Sequence, residues 1–230
     1  MLDKLRAEVV EANLELVRRG LVLYTFGNAS AVDRSSGMIA IKPSGVPYEK
    51  MTPADIVVTD LDGKIVEGSL RPSSDLPTHA ALYRAFPQIG AVAHTHSRSA
   101  TAWAQACREI PCFGTTHADY FAGPVPVTAH LRREEIETDY ELNTGLAIIR
   151  RMEGLDPLAY PGILVAGHAP FCWGETAAKT AHNAVVIEEL AALAFQTLVI
   201  NAATEPIPDA LHHKHHSRKH GPKAYYGQVP

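Results

Sequence analysis

The stretch IVVTDLDGKIVE, residues 56–67, decides what kind of sheet the chain can build. Two short apolar runs, 56–60 and 64–67, flank Asp62-Gly63. An Asp-Gly pair between such runs is the strongest short-range signal for a β-hairpin, and a hairpin joins antiparallel strands. We therefore expect a sheet that is mixed or antiparallel, rather than wholly parallel.

Helical and strand-like segments alternate on both sides of this hairpin. Apolar residues at helical spacing predict helices over about 1–19, 75–86, 99–107, 132–152 and 176–200. Short β-branched or apolar runs predict further strands over 21–25, 38–41, 91–96 and 163–166, and small polar residues predict a loop over 114–120. Because there is no repeat or break in composition, we expect one α/β (α+β) domain over 1–230, with helices packed on the sheet and a basic tail from about 212.

Composition excludes several classes of protein. The chain has 230 residues, of which 46% are hydrophobic and 20% charged, as in ordinary globular proteins. Its net charge of −4 gives no reason to expect nucleic acid or an anionic membrane as a partner. Three cysteines without a C-x-x-C pair indicate reduced thiols, so we expect a cytoplasmic protein. The apolar stretch 181–200 contains Glu188 and Glu189, which predicts a core helix and no membrane span.

The motif His94-Thr95-His96 is the sharpest chemical signal. Residues two apart on a strand face the same side, roughly 6.6 Å apart, so both imidazoles can reach one ion. His168 follows another predicted strand, and Asp75 begins a predicted helix. Three imidazoles and a carboxylate suit zinc or a similar divalent ion, although an H-x-H pair taken alone is equally two ordinary polar residues.

Small polar turns at the ends of predicted elements form a second candidate site. Exposed backbone N–H groups, hydroxyls and amides at such turns bind phosphate without bulk charge. Taken singly, each turn is explained as well by a helix cap or a tight turn. The candidate residues are Gly27, Asn28, Ser44, Gly45, Ser73 and Ser74, with Lys42 as the one compact cation.

Six blocks of sequence, in order along the chain, together resemble the class II aldolase/epimerase family. They are GNAS (27–30), IKPSGV (41–46), RPSSDLPTH (71–79), HTHS (94–97), GTTHADY (114–120) and KHGPKAYYGQ (219–228). The resemblance implies a three-layer fold with a mostly antiparallel central sheet. It also implies a homotetramer whose active sites lie at subunit interfaces.

The same resemblance implies roles for individual residues. Zinc, or another divalent ion such as Mn²⁺, would be held by His94, His96 and His168, with Asp75 beside or on the metal. The substrate phosphate would lie against the small polar turns, and Lys42, Thr116 and His215 would support the substrate. Asp119 and Tyr226 would form an acid/base pair that reaches in from the neighbouring subunit.

The implied activity is inversion of C4 in a phosphorylated ketopentose, which interconverts L-ribulose 5-phosphate and D-xylulose 5-phosphate. The C4 hydrogen is not acidic, so the C3–C4 bond must open by retro-aldol chemistry and close again on the other face of the aldehyde. A divalent ion serves as the electron sink for this step.

One alternative is an aldolase of the L-fuculose 1-phosphate type; however, such aldolases place a glutamate base where this chain has Asp75. Another is a non-catalytic module like the adducin head, against which the three histidines argue.

One position departs from the family pattern. The residue after His168 is usually glycine, whereas here it is Ala169. If that position required a positive φ, alanine would cost about 1 kcal/mol or more. We expect the chain to tolerate Ala169 with His168 kept in place.

Overall fold

The structure, a computed structural model, describes residues 2–220 and 224–225. Within them one sheet is formed by β1 (Asn28–Asp33), β2 (Met38–Ile41), β3 (Val57–Thr59), β4 (Ile65–Glu67), β5 (Ala91–His94), β6 (Gly162–Leu164) and β7 (Pro170–Gly174). The strand order is β4-β3-β2-β1-β5-β7-β6, and each neighbouring pair is antiparallel. The predicted antiparallel sheet, with its hairpin of β3 and β4, is confirmed.

The helices cover both faces of this sheet. They are α1 (Leu2–Arg18), α2 (Leu76–Ala85), α3 (Arg98–Gln105), α4 (Thr115–Ala118), α5 (Arg133–Glu137), α6 (Tyr140–Arg151), α7 (Ala177–Ile200) and α8 (Asp209–Lys219). Two 3₁₀ turns, Tyr48–Lys50 and Pro53–Asp55, precede β3.

Alternation along the strands builds two separate hydrophobic cores, because successive side chains point to opposite faces of a sheet. In β7, Cys172 packs on the side of α1, α3 and α7, whereas Phe171 and Trp173 pack on the side of α2 and α6. In β5 the small Ala93 faces the first side and Val92 the second. The sheet therefore lies between two helical layers, which confirms the three-layer fold.

The apolar helix α7 is a core helix, as its two glutamates predicted. By length and composition alone it could cross a membrane. Its buried side chains, however, pack in the same core as those of α1 and α3. The carboxylate of Glu188 also accepts hydrogen bonds from the backbone N–H groups of Ser99 at 2.8 Å and Ala100 at 2.9 Å, and so stabilises the beginning of α3.

Several local predictions differ from the structure. Residues 21–25 are not a strand, because Tyr24 has a φ of 52° and the N–H of Phe26 closes a turn on the carbonyl of Leu23. Residues 132–152 form two helices that separate at Thr138, and 114–120 contain the short helix α4. The strands β1 and β7 were not predicted, and α8 forms where only a basic tail was expected. In β7, a first residue of proline and a last residue of glycine are weak strand signals.

A buried amide joins the first helix to the strand that leads to the candidate site. The side chain of Asn13 is fully buried. Its Nδ2 donates to the carbonyls of Val9 at 2.8 Å and Ala29 at 3.1 Å, and its Oδ1 accepts from the N–H of Ala29 at 2.9 Å. Because Ala29 follows Asn28 directly, this contact fixes the start of β1.

We expect Asn13→Ala to lower the free energy of unfolding by roughly 2–3 kcal/mol, because it leaves the buried N–H of Ala29 without its partner. Urea denaturation measures the change. Lys4→Ala, on the same helix, removes an exposed ion pair with Glu8 and should change stability by less than about 0.5 kcal/mol. Equal stabilities of the two variants would contradict this role of Asn13.

Candidate active site

His94 ends β5 and is held from two sides. Its ring stacks on Phe171 of β7, with centroids 4.1 Å apart and planes 13° apart. Its Nδ1 lies 3.0 Å from the carbonyl oxygen of Pro170, so in a neutral ring Nδ1–H donates there and Nε2 keeps its lone pair. Strand pairing with β1 and β7 thus fixes the buried His94 ring with Nε2 as the nitrogen that can bind a ligand.

His96 and His168 complete a cluster of three imidazoles. The Nε2 atoms of His94 and His96 are 3.1 Å apart, and one ring nitrogen from each of the three histidines lies within 4.8 Å of the others. His168 reaches the cluster from the turn between β6 and β7, where Gly167 has a φ of +71°. The hydroxyl of Tyr140 lies 3.3 Å from Nδ1 of His168. Ala169 is buried and does not adopt a positive φ, so the departure from glycine causes no backbone strain.

The cluster fits a divalent metal ion. Two nitrogens each about 2.0–2.1 Å from a tetrahedral zinc ion are separated by roughly 3.3 Å, close to the observed distance between His94 and His96. The pKa of His94 lies well below its ordinary value, mainly because the ring is buried and secondly because the His168 and His96 rings are close. Burial also lowers the pKa of His96 and of His168. Neutral imidazoles are the form that binds metal.

Asp75 lies at the edge of this cluster. It is the residue before α2, and its Oδ2 accepts a hydrogen bond of 2.6 Å from the amide of Asn28. The negative charge of Asp75 raises the pKa of both His96 and His168 and so offsets part of the lowering that burial causes. Its carboxylate therefore faces the same space as the imidazoles.

The predicted phosphate-binding residues meet at the same cleft, which encloses about 540 Å³. Backbone hydrogen bonds from Ser44 to Arg71 and from Ser73 to Lys42 hold the two turns together. Gly27 has a φ of +76°, and a Cβ on it would lie 2.6 Å from the carbonyl oxygen of His94, so only glycine fits there. The cleft is lined by Thr25, Phe26, Gly27, Asn28, Lys42, Pro43, Ser44, Gly45, Ser73, Ser74, Asp75, His94, His96, Tyr140, Glu141 and His168.

Lys42 supplies the cation of this cleft. Its side chain is 2% exposed, and its Nζ lies 4.7 Å from the ring centre of Tyr48. The hydroxyl of Tyr48 donates to the carbonyls of Phe26 at 3.0 Å and Gly27 at 2.8 Å. Burial lowers the pKa of Lys42. An anion bound beside it would raise this pKa again, because opposite charges stabilise each other.

Asp119 belongs to a second cluster. Its carboxylate accepts hydrogen bonds from Arg218 through Nε at 2.9 Å and Nη2 at 2.6 Å, and it lies 3.1 Å from Nδ1 of His215 and 3.5 Å from Nζ of Lys219. Burial would raise the pKa of Asp119, but the hydrogen bonds from Arg218 and His215 outweigh it and lower that pKa. Over the described residues, the lining of the cleft does not include Asp119, Thr116 or His215. Tyr226 lies outside the residues that the structure describes.

Sequence reasoning missed several cleft residues, most clearly Tyr140 and Glu141. These two residues begin α6 and point into the cleft because the predicted helix over 132–152 is broken just before them. Helical periodicity runs through the break, so the sequence carried no signal that separates them from their neighbours. Thr25 and Phe26 were missed because the strand predicted over 21–25 gave no reason to place them in the cleft.

Comparison with known proteins agrees with this geometry. A family model described as the class II aldolase and adducin N-terminal domain matches residues 7–195. The L-ribulose-5-phosphate 4-epimerase UlaF of Salmonella paratyphi C (strain RKS4594) is 55% identical over 227 residues, 99% of this chain and 100% of that protein, and the protein of the same name from Salmonella typhi gives the same values.

Solved structures agree as well. An L-fuculose 1-phosphate aldolase superposes with a TM-score of 0.79 at 25% identity, over 94% of this chain and 95% of that chain. The family model covers most of the chain, and the Salmonella relatives are 55% identical over their full length. This chain belongs to the class II aldolase and adducin family.

Proposed function

We propose that the protein interconverts L-ribulose 5-phosphate and D-xylulose 5-phosphate by opening and closing the C3–C4 bond. The observation that carries the proposal is the identity of 55% over the full length to proteins named L-ribulose-5-phosphate 4-epimerase. One cleft combines three imidazoles with small polar turns that suit a phosphate group, which supports a phosphorylated sugar as the substrate.

The class II aldolase family depends on divalent metals, and this chain has a matching histidine cluster. We propose that His94, His96 and His168 hold zinc, or another divalent ion such as Mn²⁺, with Asp75 beside or on it. When bound, such an ion supplies Lewis-acid stabilisation of the charge that develops as the bond opens. The hydrogen bond of Nδ1 to the Pro170 carbonyl would leave Nε2 of His94 free to hold such an ion.

The small polar turns would hold the substrate phosphate through the whole reaction. Gly27, Asn28, Ser44, Gly45, Ser73 and Ser74 offer backbone N–H groups, an amide and hydroxyls, and Lys42 offers one charge. A phosphate that stays fixed lets the aldehyde half of the substrate turn without leaving. The fragment can then present its other face before the bond closes.

A proton acceptor and a proton donor must act on opposite faces of that aldehyde. We propose Asp119 and Tyr226 for these roles, with Thr116 and His215 in support. Because Asp119 does not line the cleft of its own chain, a second copy would have to supply it. Phe26 is an exposed apolar side chain in the lining of the cleft, and the exposed Leu23 is joined to it by a backbone hydrogen bond, which suits contact with such a copy. We propose a homotetramer in the cytoplasm.

Incubation with L-ribulose 5-phosphate, followed by separation of the sugar phosphates, tests the function. We expect D-xylulose 5-phosphate as the product, without accumulation of free glycolaldehyde phosphate. Release of the aldehyde as the main product would instead favour the aldolase reaction. No turnover of any phosphorylated ketose by metal-loaded protein would favour a non-catalytic module.

We expect His96→Asn to lose bound metal and turnover together. The rate should fall by roughly 10²- to 10³-fold or more, because Lewis-acid stabilisation is worth several kcal/mol. Elemental analysis and the epimerase assay measure the two effects, and His213→Asn, at an exposed position of α8, is the matched control. Metal content equal to wild type in His96→Asn would refute its role as a ligand.

Tyr226→Phe should lower kcat by roughly 10²- to 10⁴-fold while metal content stays at the wild-type level, since it removes only a proton donor. Tyr225→Phe removes a hydroxyl from the neighbouring exposed ring and should keep near wild-type turnover. If Tyr226→Phe turns over as fast as Tyr225→Phe, the acid/base assignment of Tyr226 is wrong.

A further inference from the structure

The C-terminal helix α8 is held by polar contacts. None of its residues is buried, so apolar packing gives it little stability. Instead it contacts α4 and the residues just after it through a set of hydrogen bonds. The Nε2 of His212 lies 2.9 Å from the carbonyl oxygen of Phe121, and the Nε2 of His220 lies 2.9 Å from that of Asp119. These contacts place the end of α8 on Asp119.

Arg218 makes the strongest of these contacts. Its guanidinium gives two hydrogen bonds to the two carboxylate oxygens of Asp119, at 2.9 and 2.6 Å. A bidentate pair fixes both the position and the plane of a carboxylate, which a single ammonium contact cannot do. Both side chains are largely shielded from solvent, at 26% and 10% exposure, so water screens this pair less than a surface ion pair.

The backbone of the same residue holds the segment beyond α8. The N–H of Tyr225 donates a hydrogen bond of 2.9 Å to the carbonyl oxygen of Arg218. The ring of Tyr225 also lies under Lys214, with Nζ 5.4 Å from its centroid. The chain therefore returns to Arg218 one residue before Tyr226.

We propose that Arg218 is a positioning residue for the acid/base chemistry: its guanidinium orients the carboxylate of Asp119, and its carbonyl holds the backbone of Tyr225 at the end of α8. This inference rests on the proposed function for the role of Asp119.

The contact also has a consequence for pH dependence. The groups of α8 that face Asp119 are His215, Arg218 and Lys219. The next residue, Tyr120, has its ring beside Lys179 and His182 of α7. Lys219 also lies over this ring. The Nε2 of His117 in α4 lies within hydrogen-bond distance of the carbonyl oxygen of Gly123, and the Nε2 of His220 lies as close to the carbonyl oxygen of Asp119. Loss of the Arg218 guanidinium removes a contact that lowers the pKa of Asp119. The carboxylate would then take up a proton at a higher pH.

Arg218→Gln is the central test variant. We expect kcat to fall by roughly 10- to 100-fold, because a misplaced acid/base group loses part of its roughly 10²- to 10⁴-fold contribution. KM and metal content should change little, and the acidic limb of the pH profile of kcat should move to higher pH. Arg218→Lys should restore the pH limb in part but not the full rate, since an ammonium keeps the charge without the two-point contact.

Two further variants separate positioning from a general loss of structure. Arg84→Gln removes a surface arginine contact with Asp62 and should leave rate and pH profile unchanged. The double variant Asp119→Asn/Arg218→Gln should be no slower than Asp119→Asn alone, because Arg218 then has no carboxylate to orient. Multiplied effects of the two substitutions would overturn the proposal, as would an Arg218→Gln enzyme with wild-type kcat and an unmoved acidic limb.

Amide hydrogen exchange tests the contact of the Arg218 guanidinium with Asp119 without any substrate. Peptides that cover 212–225 should exchange faster in Arg218→Gln than in wild type, by roughly 10-fold or more, because α8 loses its two-point contact, and those of β5 should be unchanged. Unchanged exchange over 212–225 would overturn the role of this contact in holding α8, even in an active enzyme. If wild type fails to convert L-ribulose 5-phosphate but the exchange result holds, the proposed function fails while the contact stands.

Discussion

The candidate site depends on the convergence of three neutral imidazoles at the end of β5. Burial makes protonation of these rings unfavourable, and the Nε2 atoms of His94 and His96 lie 3.1 Å apart. Neutral imidazoles are the form that binds a metal ion, so the burial that keeps three adjacent rings unprotonated makes them suitable ligands for one divalent ion. Phe171 and Pro170 of β7 fix the His94 ring, and the antiparallel pairing of β5 with β7 therefore underlies the site.

The same strand pairings place the small polar turns beside the histidines. Asn28 pairs with His94 across β1 and β5, so the start of one strand carries part of the proposed phosphate site and the end of the other carries two of the proposed metal ligands. Gly27 allows the backbone to approach the His94 carbonyl, where any side chain would collide. Asn13 fixes the first residues of β1 through its hydrogen bonds to Ala29. The ends of two central strands thus bring the proposed metal site and the proposed phosphate site together.

The parts of this site that could be predicted from sequence are those with short-range patterns. The period of two places His94 and His96 on one face of a strand, and the Asp62-Gly63 turn predicted a hairpin and therefore a mixed or antiparallel sheet. Tyr140 and Glu141 escaped prediction because the break before α6 depends on tertiary packing. The strand expected at 21–25 failed because the left-handed backbone of Tyr24 turns the chain toward the cleft. Residue types alone do not determine such a backbone conformation.

Asp119, the proposed acid/base group, follows α4 and contacts α8, whereas the proposed metal ligands lie at the end of β5 and in the turn between β6 and β7. The histidine cluster is nevertheless the centre of the proposed chemistry. Turnover of L-ribulose 5-phosphate after treatment with a chelator, and again after return of the ion, tests it most directly. We predict loss of D-xylulose 5-phosphate formation when the metal is removed and its recovery with about one zinc ion per chain. Full turnover by stripped, metal-free protein would contradict it.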